Sequence, residues 1–156
     1  MVSMGATTIW ELWNGDTADP AMNSGNHLML VGDLITWLYE NLAGIRPDPA
    51  QPGFKHILMR PTPVGDLTFV KASHKSPYGK IVSEWKRDED RFTWSFTVPA
   101  NTTATAYVPA KDAASVTESG KPAGEAPGVK YLRMEAGAAA YEVGSGSYSF
   151  LSSLPH

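Results

Sequence analysis

Two kinds of hydrophobic spacing divide the chain. From Asn26 to Ala43 apolar residues recur at helical intervals. At about 100° per residue, Leu28, Val31, Leu34, Ile35, Leu38, Tyr39 and Leu42 fall on one broad stripe. Leu30 and Trp37 fall nearly opposite it, and the polar wedge of Asp33, Thr36 and Glu40 is narrow. A helix apolar over most of its girth is buried on two sides, yet no second long helix is predicted to cover it. Asn23, Ser24 or Asn26 could cap its start by accepting from the first free backbone N–H groups. Gly44 suits the position just past its end, and Pro47 and Pro49 stop any continuation.

The stretch "IRPDPAQPGF" (45–54) reads as a proline-rich linker, and beyond it every segment reads as strand. "FKHILMR" (54–60), "LTFVKASHKS" (67–76), "KIVSEWKR" (80–87) and "RFTWSFTV" (91–98) come first. "SPYG" marks one turn and "DED" another. In 91–98, Phe92, Trp94, Phe96 and Val98 alternate with Thr93, Ser95 and Thr97, which predicts one buried and one wet face. Strands are also expected over 103–109, 114–120, 129–136, 139–144 and 147–152, with "GKPAGEAPG" (120–128) as a loop. Short strands with turns at close intervals predict an antiparallel β-sandwich. The chain is thus expected to be mainly β, with residues 51–156 forming the sandwich and residues 1–50 an incomplete helical piece of a larger protein.

The first 25 residues have no periodicity but carry chemistry. "TTIWELWNGD" (7–16) sets Glu11 between Trp10 and Trp13, and "MNSGNH" ends on His27. A carboxylate among indoles and polar loop donors can stay ionised and oriented, as a general base requires. Indole faces and Asn or His side chains suit a sugar's C–H faces and hydroxyls. Without further context, Glu11 reads more readily as a surface residue and His27 as a capping or structural histidine. Asp16 and Asp19 sit in turn-like flanks, where Asp bonds its own backbone. His56 and His74 fall in strand patterns and are expected to be structural.

Composition narrows the classes. The 156 residues carry a net charge of −3, five Trp, six Tyr, five Phe and no Cys. There is no basic stripe to bind nucleic acid and no apolar run of about 18 residues to span a membrane. Disulfides and thiolate metal sites are excluded, and no phosphate loop, nucleophile elbow or zinc spacing occurs. No cofactor or metal is expected. "MVSMGATT" lacks the basic-then-apolar pattern of a signal peptide. The compartment stays open.

Five motifs in order, "TTIWELW", "MNSGNH", "WLYENLAGI", "PGFKHILMRPTP" and "SPYGKIVSEW", resemble the C-terminal part of bacterial α-L-rhamnosidases. The resemblance is recognisable over residues 6 to about 85 and weaker beyond. It implies that residues 1–50 are the end of an (α/α)6 catalytic barrel and 51–156 the sandwich that follows it. It also implies inverting hydrolysis of terminal α-L-rhamnosides, with Glu11 as general base and His27 in the sugar pocket beside Trp10 and Trp13. Inversion needs a second carboxyl group roughly 6.5–9.5 Å away as general acid. The family's acid lies on an earlier barrel segment, so the isolated chain is expected to be inactive. A non-catalytic sandwich that binds carbohydrate or caps a larger protein is the alternative. The expected partner is a rhamnose-containing glycoside. The uncovered helix at 28–42 is expected to associate with a second copy or to fold against the sandwich.

Overall fold

The computed structural model describes residues 1–21 and 23–154. Met22, inside the quoted "MNSGNH" stretch, and the last two residues of the expected 51–156 sandwich lie outside the described residues. The chain divides into two compact units, Met1–Trp37 and Leu38–His156.

The first unit has one regular element of any length, helix α1 (Met29–Trp37). A short 3-10 turn at Val2–Met4 and irregular backbone precede it. The expected start at Asn26 is therefore three residues early. The reason lies in the candidate caps, whose oxygens are used elsewhere. Asn23 Oδ1 accepts from Leu12 N (3.2 Å), Ser24 Oγ from Asn26 N (3.3 Å), and Asn26 Oδ1 from Thr8 Oγ1 (2.9 Å). No residue of α1 is buried, and Leu28, Leu34, Ile35 and Trp37 are all exposed.

The second unit opens with a π-turn, Leu38–Leu42, in which Ala43 N donates to Leu38 O at 2.9 Å. One α-helix to Ala43 was the expectation, and widening by one residue per turn replaces it. The widened turn ends where buried donors wait. The indole Nε1 of Trp85 donates to Leu42 O (2.7 Å) and Ser83 Oγ donates to Ala43 O (2.6 Å). Trp94 Nε1 in turn donates to Ser83 Oγ (3.0 Å). A helix end leaves its last carbonyls without intrahelical partners, and here the sandwich core supplies them. Gly44 follows at φ 69°, and a Cβ on it would stand 2.1 Å from the backbone N of Pro61. That position admits only glycine.

Ile45–Pro47 is strand β1, paired antiparallel with β2 (His56–Met59), so the expected linker contributes to a sheet. Its proline is tolerated because β1 is an edge strand, where a missing N–H breaks no inner ladder. The remaining strands are β3 (Phe69–Ser76), β4 (Gly79–Asp88), β5 (Arg91–Val98), β6 (Thr103–Pro109), β7 (Thr117–Glu118), β8 (Lys121–Pro122), β9 (Val129–Glu135), β10 (Ala138–Val143) and β11 (Gly146–Ser153). The expected strand at 114–120 shrinks to β7 because Asp112 caps a 3-10 turn at Ala113–Ser115, its Oδ1 accepting from Ser115 N at 2.8 Å. Part of the expected 120–128 loop is strand β8, which pairs with β7.

The strands form two sheets, in the orders β1-β2-β6-β10-β9 and β3-β4-β5-β11-β7-β8. All pairs are antiparallel except β2 with β6, which run parallel with Leu58 opposite Thr105. The six-stranded sheet brings large aromatic residues to the core, Trp85, Phe92, Trp94, Phe96 and Phe150, each no more than 2 % exposed. The facing sheet answers mostly with smaller ones, Ala104, Ala106, Val108 and Ala139, around one large ring, Tyr141, whose centroid lies 5.5 Å from that of Phe150. Large opposite small fills the interlayer at the density a core requires. Phe96 and Phe150 stack across neighbouring strands with centroids 5.7 Å apart.

Candidate functional site

The candidate residues all lie in the first unit, where two segments far apart in sequence are laced together. His27 N donates to Ile9 O (2.7 Å) and Glu11 N to Ser24 O (2.9 Å). Leu12 N is held by Asn23, whose Nδ2 donates to Gly15 O at 3.4 Å. This lacing draws "TTIWE" and the "NSGNH" part of the second motif onto one another. No strand forms, because side-chain oxygens of Asn and Ser take positions that backbone carbonyls would hold in a ladder.

Glu11 and His27 meet there. Glu11 Oε2 accepts from the backbone N–H of Ser24 at 3.0 Å and stands 3.7 Å from His27 Nδ1. The Glu11 side chain keeps 43 % of its surface and that of His27 24 %. One carboxylate oxygen is thus fixed by an amide while the group remains open to solvent. An ionised oxygen with one amide donor and a neighbouring imidazole is oriented and can still accept a proton from water.

The two tryptophans differ. Trp10 is half-buried, its indole lying against Gly15 so closely that a Cβ there would come within 2.7 Å of the ring. Trp13 is 85 % exposed, its indole available to an incoming flat surface. Asp19 closes its own turn, with Oδ1 accepting from Ala21 N at 2.9 Å, as its flanks predict. Ser24 joins the site without a functional side chain. Its contribution is a backbone N–H, which no side-chain motif reveals, although "NSGNH" placed it beside the site.

In the second unit, His56 bridges two threonines, Nδ1 to Thr103 Oγ1 (2.7 Å) and Nε2 to Thr105 Oγ1 (2.9 Å). His74 packs against the ring of Phe54 at 4.6 Å. Glu135 joins Arg60 (3.0 Å) and Arg133 (2.5 Å) in an exposed ion network, and the two guanidinium groups hold its carboxyl below the usual range, Arg133 first. Among the described residues, no group of three or more His, Cys, Asp or Glu side chains is placed to hold a metal ion, and no helix is long and apolar enough to cross a membrane.

An oriented carboxylate beside tryptophans, then a helix, then a sandwich is an order that known families share. The bacterial alpha-L-rhamnosidase six-hairpin glycosidase domain matches residues 1–42, and the bacterial alpha-L-rhamnosidase C-terminal domain matches residues 44–123. Two pieces of a glycosidase therefore follow one another in this chain. An alpha-L-rhamnosidase of Streptomyces avermitilis is 34 % identical over 154 residues, which is 96 % of this chain and 14 % of that protein. One from Formosa agariphila is 37 % identical over 120 residues, 74 % of this chain and 13 % of its own. The crystal structure of the Streptomyces avermitilis enzyme complexed with L-rhamnose superposes with a TM-score of 0.79, and that of the Dictyoglumus thermophilum enzyme also with 0.79 at 35 % identity, covering 97 % of this chain and 16 % of that one. The chain belongs to the bacterial α-L-rhamnosidase family. It spans about a seventh of the length of the Streptomyces relative.

Proposed function

We propose that this chain serves a glycoside hydrolase that removes terminal α-L-rhamnose from rhamnosides with inversion, and that Glu11 is its general base. One observation carries the reading: the Glu11 carboxylate is clamped by the N–H of Ser24, 13 residues away, and flanked by the His27 ring, in segments that have no other evident reason to meet. In this reading Ser24 N–H holds one oxygen so that the other faces the attacking water. His27 donates to the carboxylate or to a sugar hydroxyl, and Trp13, the exposed indole, stacks on the sugar. The general acid stands on a part of the enzyme not included in these 156 residues, so the chain alone does not turn over substrate. A purely non-catalytic sandwich would leave this arrangement without use.

The test is Glu11→Gln in a full-length enzyme carrying this segment, assayed on an aryl α-L-rhamnoside. Loss of an acid–base group costs about 10²–10⁴-fold in rate, so a drop of less than tenfold would remove Glu11 from the role. The exposed apolar residues at 28–39 bear on the isolated chain. Leu28, Met29, Leu34 and Ile35 each keep about half or more of their surface, and contiguous apolar area of this kind becomes an interface. We expect self-association through residues 28–42 when the chain is expressed alone, with Leu42 itself, which is buried, taking no part. Light scattering at high micromolar concentration should return a mass above that of the monomer; a monomer would refute it.

A further inference from the structure

The outward face of the six-stranded sheet is fixed residue by residue by its register. On the β3–β4 hairpin, Lys75 stands directly opposite Lys80, Lys71 opposite Glu84, and Lys86 lies two residues further along β4. Across the next strands the face turns mostly to short hydroxyls, with Val82 opposite Thr97 and Leu151 opposite Thr93 among them. Glu84 is followed by Ser95 and then Ser149, Lys86 by Thr93, and Thr97 by Ser147, whose hydroxyls are 3.0 Å apart. No outward residue of β4, β5 or β11 is aromatic. Short side chains between longer ones make a trough. It shows as three adjoining depressions of about 380, 320 and 170 Å³, and Glu84 lines all three.

The charge on this face is out of keeping with the chain. The protein carries −3 overall, yet the trough is bordered by four exposed lysines, Lys71, Lys75, Lys80 and Lys86, and holds one acid, Glu84. Ion pairs within 4.0 Å among the described residues involve Glu11, Glu40 and Glu135, and none of these lysines. Asp88 and Arg91, at the far end of the β4–β5 hairpin, face each other and offset one another. Like charges directly opposite in a sheet destabilise it, so the Lys75–Lys80 pair works against the fold. An anion laid along the trough would reverse that sign.

We propose that this face binds an anionic polysaccharide, a glycan strand bearing uronate carboxylates. The lysines meet the carboxylates, and the serine and threonine floor exchanges hydrogen bonds with ring hydroxyls. Binding is by charge and hydrogen bonding, without ring stacking. Duplex or single-stranded nucleic acid fits less well, because the trough has no arginine fork and its one exposed ring, Phe69 opposite Lys86 at the margin, is not a row of rings on which successive bases could stack. A bilayer, being flat, cannot enter a trough. None of the residues assigned to hydrolysis takes part, so this site stands or falls independently of the Glu11 reading.

Affinity electrophoresis of the 156-residue chain in gels containing polygalacturonate tests it. Retardation is expected with polygalacturonate and not with dextran, and it should fade with added salt. The double variant Lys75→Gln/Lys80→Gln should bind at least tenfold more weakly, and Ser95→Leu, which fills the floor without changing charge, at least threefold. Both changes are outward-facing and leave the core intact, which circular dichroism checks. The proposal is overturned by absence of retardation, by unchanged binding in either variant, or by tighter binding at equal salt to duplex DNA or to phosphatidylserine vesicles than to polygalacturonate.

Discussion

The two units hold their shape by opposite means. Among the described residues of 1–37 no hydrophobic residue is buried, and their order comes from side chains of Asn and Ser bonded to backbone. From Leu42 onward an aromatic core carries the fold, with Trp85, Trp94 and Phe92 almost wholly out of water. Hydrogen bonds that exchange with water contribute about 0.5–1.5 kcal/mol each, whereas a large buried side chain contributes about 1.5–3 kcal/mol. The polar unit can therefore position groups but cannot stabilise itself strongly. The exposed, oriented carboxylate of Glu11 sits in the weakly held unit, and the sandwich is its stable neighbour in sequence.

Paired substitutions sharpen the contrast. Trp94→Ala should cost about 3–5 kcal/mol from the cavity alone, with the Ser83 hydroxyl losing its donor besides; chemical denaturation should show the sandwich close to unfolding. Gly44→Ala comes next. A non-glycine residue in the left-handed region costs about 1–3 kcal/mol, and its Cβ would collide with backbone at Arg60 and Pro61, so the melting temperature should fall by several degrees. Third is alkaline pH. Burial, first, and the neighbouring Tyr131 push the Tyr141 hydroxyl up to about 12. The folded state favours its neutral form, while the unfolded chain ionises near about 10. Stability from this group is thus complete below pH about 10 and is lost as pH rises toward about 12. Tyr141→Phe should flatten that decline in a pH series of urea midpoints. Tyr148, raised by burial and by Glu118, will keep a remainder of it. The smallest effect belongs to the first unit. Trp13→Ala should change stability by no more than about 0.5 kcal/mol, since the indole is almost fully exposed. A loss comparable to that of Trp94→Ala would erase the distinction between the units.

Much of this was legible in the order of residues. The alternation of Phe92, Trp94, Phe96 and Val98 announced the buried face of β5, and all four are buried. Gly44 was readable as a helix stop. The proximity of Glu11 and His27 followed from motif resemblance and could not have come from periodicity, because their lacing has none. What stayed hidden depended on partners distant in sequence. Ile45–Pro47 looks like linker because Pro47, with Pro49 and Pro52 beyond it, masks a strand that needs only one neighbour. Asn23, Ser24 and Asn26 look like caps because any free oxygen near a helix start does; Leu12 and Thr8 divert Asn23 and Asn26, and the backbone of Asn26 diverts Ser24. The π-turn answers donors on Trp85 and Ser83, some 40 positions later.

Strand β11 is the last strand of the described chain, yet it lies inside its sheet, between β5 and β7. Its register against β5 joins Phe150 to Trp94 and Tyr148 to Phe96. Roughly 50 residues must follow β5 on the ribosome before this partner exists, a delay of a few seconds at about 5–20 residues per second. Throughout that interval β5 presents an open edge and a row of uncovered aromatic rings, the kind of surface that invites pairing with another nascent chain. The vulnerable interval in the making of this sandwich thus runs from β5 to β11, and a premature stop codon before residue 146 would make that exposure permanent.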